Sequence, residues 1–160
     1  MDEDDDTPSY SSQEMLDMVE KNDDTFKLLS IGNSHLDTGY SSSISSDYSR
    51  LGIAIANNTH LKTLHVNIHN EELPAVEDST FYDGLKRNSS IQRLILHSDR
   101  HDNDMNEVGR QILKAYQGND LTNLDMRSFG IQLEDITAIT TTFKWCSNLY
   151  YTFNKLQYNR

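Results

Sequence analysis

The stretch NNTHLKTLHV, residues 57–66, contains a six-residue pattern, LKTLHV, with apolar residues at its first, fourth and sixth positions. The same pattern returns as IQRLIL at residues 91–96 and as LTNLDM at residues 121–126. We number each copy from its first residue, so that the apolar residues occupy offsets 0, +3 and +5. The three copies start 30 residues apart, at Leu61, Ile91 and Leu121. A regular period in this range indicates a stack of structural repeats.

Two weaker copies extend the array in both directions. Phe26 starts one copy 35 residues before the first strong one, and apolar residues again occupy offsets +3 and +5. Leu149 starts another copy 28 residues after the last strong one, but polar Thr152 and Asn154 stand at those two offsets. This last copy is interpreted as decayed, and the sequence predicts about five repeats.

A helix is predicted before each of these short strands, because apolar residues recur there at the spacing of one helix face. The residues that carry this pattern are Leu51 and Ile55, Phe81 and Leu85, Val108, Ile112 and Ala115, and Ile136, Ile139 and Phe143. Ser11 and Glu14 form a candidate capping box, which predicts a further helix over residues 15–19 that caps the array. Left-handed helix ends are predicted at Asn57-Asn58, Asn88-Ser89 and Gly118-Asn119.

These motifs resemble the leucine-rich repeats of the ribonuclease-inhibitor subtype, over residues 15–154. The resemblance is carried by LxxLxV at Leu61, IxxLxL at Ile91, LxxLxM at Leu121 and FxxLxI at Phe26. The actin-capping domain of tropomodulins is a similar short array in length and number of repeats. The resemblance implies an α/β fold, a curved solenoid with parallel strands on its concave face and helices on its convex face.

The chain departs from that family in the loops that follow the strands. The family places Asn or Cys at offset +8, where this chain has Ser34, His69, Asp99 and Phe129. Two insertions, around residues 35–46 and 70–79, lengthen these loops, and the serine-rich run at residues 41–46 is predicted to be mobile. We therefore expect a divergent or partial array with irregular loops.

Negative charge is concentrated at the start of the chain. The 160 residues carry a net charge of −11, and residues 1–25 hold ten acidic residues against one base, Lys21. Residues 1–10 are interpreted as an acidic, disordered leader, or alternatively as a regulatory tail for a basic partner, and residues 11–160 as the repeat domain. Nothing forms the basic stripe that a nucleic-acid partner requires.

Cysteine content and the first residues indicate the compartment. A single cysteine, Cys146, rules out an internal disulfide framework and suits a reducing environment. The start MDEDDD lacks the basic end and apolar run of a secretory signal. No stretch approaches the ~18 apolar residues of a membrane-spanning helix. An intracellular, cytoplasmic protein without a membrane partner is predicted.

The sequence does not favour an enzyme, a metal site or a cofactor. His65, His97 and Asp125 lie on neighbouring predicted strands, but His97 is displaced by two residues, so the three would not converge on one zinc ion. A calcium loop read from Asp102 has Glu107 where glycine is needed and lacks the final glutamate. Cys146 is interpreted as a buried structural residue. No glycine-rich phosphate loop is present, and no small-molecule substrate is evident.

The candidate binding site is the outward face of the strands. Residues at offsets +2, +4 and +6 alternate with the core-facing residues and are expected to face solvent. The predicted contact residues are Thr63, His65, Asn67, Arg93, Ile95, His97, Asn123, Asp125, Arg127 and Tyr151. The inserted loops and the convex helices are the alternative binding surfaces.

A rigid, largely polar face with arginine and aromatic residues is typical of a protein interaction surface. The sequence therefore predicts a non-catalytic protein–protein interaction module, acting as a scaffold or recognition domain. The alternatives are a regulator of a partner enzyme, such as an inhibitor or activator of a small GTPase, and an actin-capping-like array. No particular partner, pathway or oligomeric state follows from the sequence.

Overall fold

The computed structural model describes residues 10–32, 45–68, 73–74, 79–98, 105–116, 121–127, 139 and 148–152. Four helices and five strands follow one another in this part of the chain. They are α1 (Ser12–Glu20), β1 (Leu28–Ile31), α2 (Ser45–Asn57), β2 (Thr63–Asn67), α3 (Ser79–Arg87), β3 (Arg93–His97), α4 (Glu107–Ala115), β4 (Asn123–Arg127) and β5 (Asn148–Thr152).

A helix precedes each of the first four strands, as the periodicity predicts. Ser45, Ser46 and Ser79 were expected in loops but belong to the first turns of α2 and α3, so those two helices start earlier than predicted. The helix expected over residues 136–143 lies outside the described residues except for Ile139, which is buried. Among the described helices, none is long and apolar enough to cross a membrane.

The five strands form one parallel sheet in chain order, β1-β2-β3-β4-β5. Residues at offset +3 pair across the first four strands, as Leu29, Leu64, Leu94 and Leu124, and those at offset +5 pair in the next core row. Because the pattern and the register agree, every copy presents the same face to the helices. The repeated apolar offsets therefore build one continuous core under the sheet.

That core contains the three apolar positions of each of the first four copies. The residues at offset 0 are Phe26, Leu61, Ile91 and Leu121, and all are buried. They belong to the same cluster as Met15, Leu16 and Val19 of α1, which cover the first repeat as the capping prediction requires. Tyr10, the last residue of the predicted leader, packs edge-on against Phe26, with ring centroids 6.2 Å apart, and lies against this core.

The register of β5 corrects the prediction for the last copy. Leu149 pairs with Leu124 and Tyr151 pairs with Met126, so Leu149 stands at offset +3 and not at offset 0. Tyr151 therefore occupies the register position of a core row and is not in the outward rows where it was predicted. If this copy is numbered from Cys146, three residues earlier, Leu149 and Tyr151 occupy offsets +3 and +5. The pattern of apolar residues at these two offsets is then the same as in the other copies.

Helices α2 and α3 approach each other at two glycines. A Cβ atom added to Gly84 would stand 2.1 Å from the backbone oxygen of Gly52, and one added to Gly52 would stand 2.6 Å from that of Thr80. The backbones are therefore in direct contact at this crossing. Close approach brings the Tyr48 and Phe81 rings together edge-on, with centroids 5.5 Å apart, inside the core.

Buried asparagines connect successive repeats at offset −3. Asn88 donates from Nδ2 to the backbone oxygens of Ile55 at 2.7 Å and Asn58 at 2.9 Å, and its Oδ1 accepts from the N–H groups of Ser90 and Ile91, both at 2.9 Å. Asn58 repeats the arrangement one repeat earlier, donating to the Val19 oxygen and accepting from His60 and Leu61.

These asparagines do not adopt the left-handed conformation predicted for them. Within the described residues, Asn22 is the non-glycine residue with positive φ, at 53°. Asn58 and Asn88 are instead held by hydrogen bonds that link neighbouring repeats. The family's expected ties at offset +8 fall on Ser34, His69, Asp99 and Phe129, and these four positions, like Gly118-Asn119, lie outside the described residues.

The capping box predicted at the start of α1 is present. Glu14 accepts hydrogen bonds from the N–H and hydroxyl of Ser11 at 2.8 Å, and its own N–H donates to the Ser11 hydroxyl oxygen at 3.3 Å. The backbone hydrogen bond from Ser11, followed by the one from its hydroxyl, lowers the pKa of Glu14 below that of a free glutamate.

Ser11→Ala removes the hydroxyl donor and keeps the backbone N–H, so it is expected to raise the pKa of Glu14 part of the way towards the usual value of about 4.3. Because the folded carboxyl has a lowered pKa, the ionised form stabilises α1 above that range, and the contribution is lost as pH falls through the folded pKa. An NMR titration of the Glu14 carboxyl carbon in both proteins measures this. An unchanged pKa of Glu14 in the variant would contradict the capping role of Ser11. The control is Ser12→Ala, which replaces the adjacent serine.

Candidate protein-binding face

The outer sheet face is the surface formed by the residues at offsets +2, +4 and +6, opposite the core-facing residues. The strand register brings them into three rows across β1 to β4. The +2 row contains Leu28, Thr63, Arg93 and Asn123. The +4 row contains Ser30, His65, Ile95 and Asp125. The +6 row contains Asn67, His97 and Arg127. With strands about 4.8 Å apart, each row is nearly continuous.

The middle row is more buried than the sequence predicts. Ser30, Ile95 and Asp125 are only 4%, 7% and 6% exposed, whereas the side chains of Arg93 and Arg127 are 46% and 45% exposed. The expectation that Asp125 faces solvent is therefore wrong, because arginines from the two flanking rows lie against it. Ile95 and Asn67, two other predicted contact residues, are 7% and 3% exposed, so the expectation that they face solvent is also wrong.

Asp125 binds both exposed arginines of this face. Arg127 donates from Nε to Oδ2 of Asp125 at 2.9 Å and donates from Nη2 to the same oxygen, and Nη2 of Arg93 lies 3.7 Å from it. The hydrogen bond with the Asp125 carboxylate raises the pKa of Arg127. The resulting Arg93–Asp125–Arg127 cluster has two positive charges and one negative charge, and holds its guanidinium groups at the surface.

The two histidines of the face lie beside this cluster. His65 and His97 have ring centroids 6.0 Å apart, with their planes at 48°, and Nδ1 of His65 lies 3.4 Å from the Ser30 hydroxyl. No set of three His, Cys, Asp or Glu side chains within the described ranges could hold a metal ion. The described part of the face therefore offers polar side chains that can contact a protein partner, and these side chains do not form a metal-binding site.

Nine of the ten predicted contact residues are brought together on this face. The exception is Tyr151, which was predicted at offset +2 of the last copy, whereas Asn148 pairs with Asn123 in that row. Leu28, at offset +2 of the weak first copy, adds an apolar side chain that is 51% exposed. The sequence signal for the charged cluster was Asp125 and Arg127, two residues apart on one predicted strand, with Arg93 on the strand before it.

Comparison with known proteins identifies the fold and no closer relationship. No family model matches the chain, and no curated protein matches it. Among solved structures, actin-binding site 2 of leiomodin-1 is 21% identical, with a TM-score of 0.58, over 88% of this chain and 79% of that one. The tropomodulin C-terminal domain of Caenorhabditis elegans is 8% identical, with a TM-score of 0.55, over 91% and 84%. The chain thus has a leucine-rich-repeat-like α/β fold.

Proposed function

We propose that this protein is a non-catalytic, intracellular protein-binding module that contacts its partner through the outer sheet face. In this proposal residues 11–160 form a curved array of about five repeats, and the outer sheet face is its concave side. The single observation that carries the proposal is the Arg93–Asp125–Arg127 cluster. It presents two oriented guanidinium groups on a surface built from rigid strands.

The physical argument rests on the cost of ordering a binding surface. Arginine is enriched among residues that dominate binding energy, and an arginine already held by a carboxylate loses less side-chain freedom when a partner arrives. The outer sheet face also combines this cluster with the exposed apolar side chain of Leu28 and the half-buried rings of His65 and His97. Mixed apolar and charged character of this kind suits a protein partner.

Actin is the first partner to test. The two similar structures are named as an actin-binding site of leiomodin-1 and a tropomodulin C-terminal domain, and both share this fold over most of their length. Fold alone does not specify a function, so the outer sheet face must be tested directly. Binding is measured with fluorescently labelled monomeric actin by anisotropy and with filaments by co-sedimentation.

The triple variant Arg93→Ser/Asp125→Ser/Arg127→Ser is expected to weaken binding by about tenfold or more, as expected for residues that dominate an interface. Removing all three charges together avoids leaving a buried, unpaired Asp125 carboxylate, which would itself destabilise the fold. The matched control is Glu107→Ser/Arg110→Ser on α4, where the pair is 4.0 Å apart and Arg110 is equally exposed, at 45%.

Three outcomes separate the parts of this proposal. Loss of actin binding in the triple variant, with binding kept in the α4 control, supports both the face and the partner. Equal binding by all three proteins places the actin contact elsewhere and contradicts the role of the outer sheet face. If the native chain binds neither form of actin, the actin assignment is wrong. Circular dichroism and thermal unfolding must show the same folded content in each protein.

A further inference from the structure

Charge is divided unevenly between the two sides of the sheet. The described residues contain ten Lys and Arg against nine Asp and Glu, a net charge of +1, although the whole chain carries −11. Four of the bases and one acid lie on the outer sheet face and at the amino ends of β1 and β2. They are Lys27, Lys62, Arg93, Arg127 and Asp125. The other described residues have six bases and eight acids, so within the described part of the chain the sheet side is the positive one.

We propose that the acidic segment at residues 2–6 binds in cis to the outer sheet face, with its carboxylates on the exposed sides of Arg93 and Arg127. This segment is the sequence DEDDD, five consecutive carboxylates, and lies outside the described residues. Its negative charge is attracted to the positive sheet side. The rest of the described residues would repel it, because acids outnumber bases there. The inference does not depend on the partner proposed above.

The point at which the described chain begins places this segment within reach. Tyr10 packs against Phe26, which precedes the start of edge strand β1 by two residues. Lys27 lies between Phe26 and that strand. Residues 2–6 are four to eight positions before Tyr10, which is about 13–26 Å of extended chain at ~3.3 Å per residue. From Phe26, Arg93 is two strand spacings across the sheet and two residues along it, about 12 Å, and Arg127 is three spacings across and six residues along, about 24 Å. Arg93 is therefore within reach of the segment, and Arg127 is within reach of its first residues.

Tethering makes this contact favourable where free association of the same groups would be weak. Exposed ion pairs contribute little individually, but a segment joined to its site by a short linker has an effective concentration in the millimolar range. Five carboxylates near two fixed guanidinium groups and two lysines also act together. The contact should be sensitive to salt, because the screening length falls from about 10 Å at 0.1 M to about 3 Å at 1 M.

The direct test is paramagnetic broadening by a nitroxide placed in the leader. The label is attached to Thr7→Cys in a full-length chain that also carries Cys146→Ser, and amide signals are compared before and after reduction of the nitroxide. At low salt we expect at least twofold weaker signals for Arg93, Ile95, Asp125 and Arg127 than for exposed residues of α3 and α4. The signals should recover at about 0.5 M salt, where charges are strongly screened.

Two controls identify the groups involved. In the Arg93→Ser/Asp125→Ser/Arg127→Ser variant the broadening on the sheet should fall by at least half, whereas Glu107→Ser/Arg110→Ser on α4 should leave it unchanged.

Mixing isotope-labelled chains with spin-labelled, unlabelled chains reports contacts between molecules. Broadening of equal size in that mixture would overturn binding in cis. Broadening confined to residues near Tyr10 and Phe26 would overturn the proposal as well.

A second measurement avoids cysteine substitution, in case Cys146→Ser unfolds the chain. The leader is neutralised as Asp2→Asn, Glu3→Gln, Asp4→Asn, Asp5→Asn and Asp6→Asn, and amide chemical shifts are compared with those of the native protein. Shift changes centred on Arg93 and Arg127 support the contact. An unchanged outer sheet face contradicts it. Neither result involves actin, so this proposal and the proposed function fail independently.

Discussion

Gly84→Ala is expected to destabilise the protein by about 3 kcal/mol or more, although alanine is the better helix former by roughly 1 kcal/mol. The new Cβ would stand 2.1 Å from the Gly52 oxygen and 2.6 Å from its carbonyl carbon. Both are backbone atoms, so no side-chain rotation relieves the contact. Helices α2 and α3 must separate, which opens the core around buried Phe81 and Leu85.

The matched control for this prediction is Gly109→Ala in α4. There the added Cβ would meet side-chain atoms, Cγ of Met105 at 3.0 Å and Cδ1 of Ile68 at 3.1 Å, which move by small changes in rotamer. Chemical denaturation of both variants gives the two free energies of unfolding. Gly109→Ala should lie within about 1 kcal/mol of the native protein. Equal losses in the two variants would show that the helix crossing does not require a glycine at position 84.

Asn88→Ala is the second large effect, with an expected loss of about 2–4 kcal/mol. The side chain is 1% exposed and joins two repeats through the oxygens of Ile55 and Asn58 and the N–H groups of Ser90 and Ile91. Alanine would leave these backbone groups buried without this partner. That cost exceeds the small net gain of an ordinary hydrogen bond.

The control for Asn88 is Asn57→Ala. Asn57 is exposed at the end of α2, and its side chain donates to the Ile53 oxygen of the same helix at 3.1 Å. Its replacement should change the free energy of unfolding by at most about 0.5 kcal/mol. Hydrogen exchange provides a local readout, since the Ser90 and Ile91 amides should exchange faster in Asn88→Ala. Unaltered exchange there would contradict a structural role for the asparagine.

Much of the fold follows from the spacing of apolar residues. Parallel strands in a stack must align their core-facing positions, so Leu64, Leu94 and Leu124 pair as soon as each repeat has the same pattern. The same argument places nine of the ten predicted contact residues on the outer sheet face. The prediction was wrong at β5, because Leu149 was taken as offset 0 of the last copy. In the structure Leu149 and Tyr151 stand at offsets +3 and +5.

Local preferences were a poorer guide to the helix ends. Asn58 and Asn88 were predicted to be left-handed, because asparagine tolerates positive φ better than most residues. Both are instead buried, and a buried amide side chain must find hydrogen-bond partners. The side-chain oxygens accept from N–H groups two and three residues ahead, but the backbone oxygens that accept from the Nδ2 groups lie 30 to 39 residues earlier in sequence, and no local pattern specifies those.

The sequence by itself determined the repeat, the alternation of helix and strand, and the order and direction of the strands. The repeat and the alternation follow from periodicity, which makes one face of each strand consistently apolar, and the parallel order of the strands is what the family resemblance implies. Only the tertiary structure decided that Asp125 is buried between Arg93 and Arg127, and that Gly52 and Gly84 place two helix backbones in contact. Such features depend on distances between side chains and backbones of different repeats, and periodicity does not contain that information.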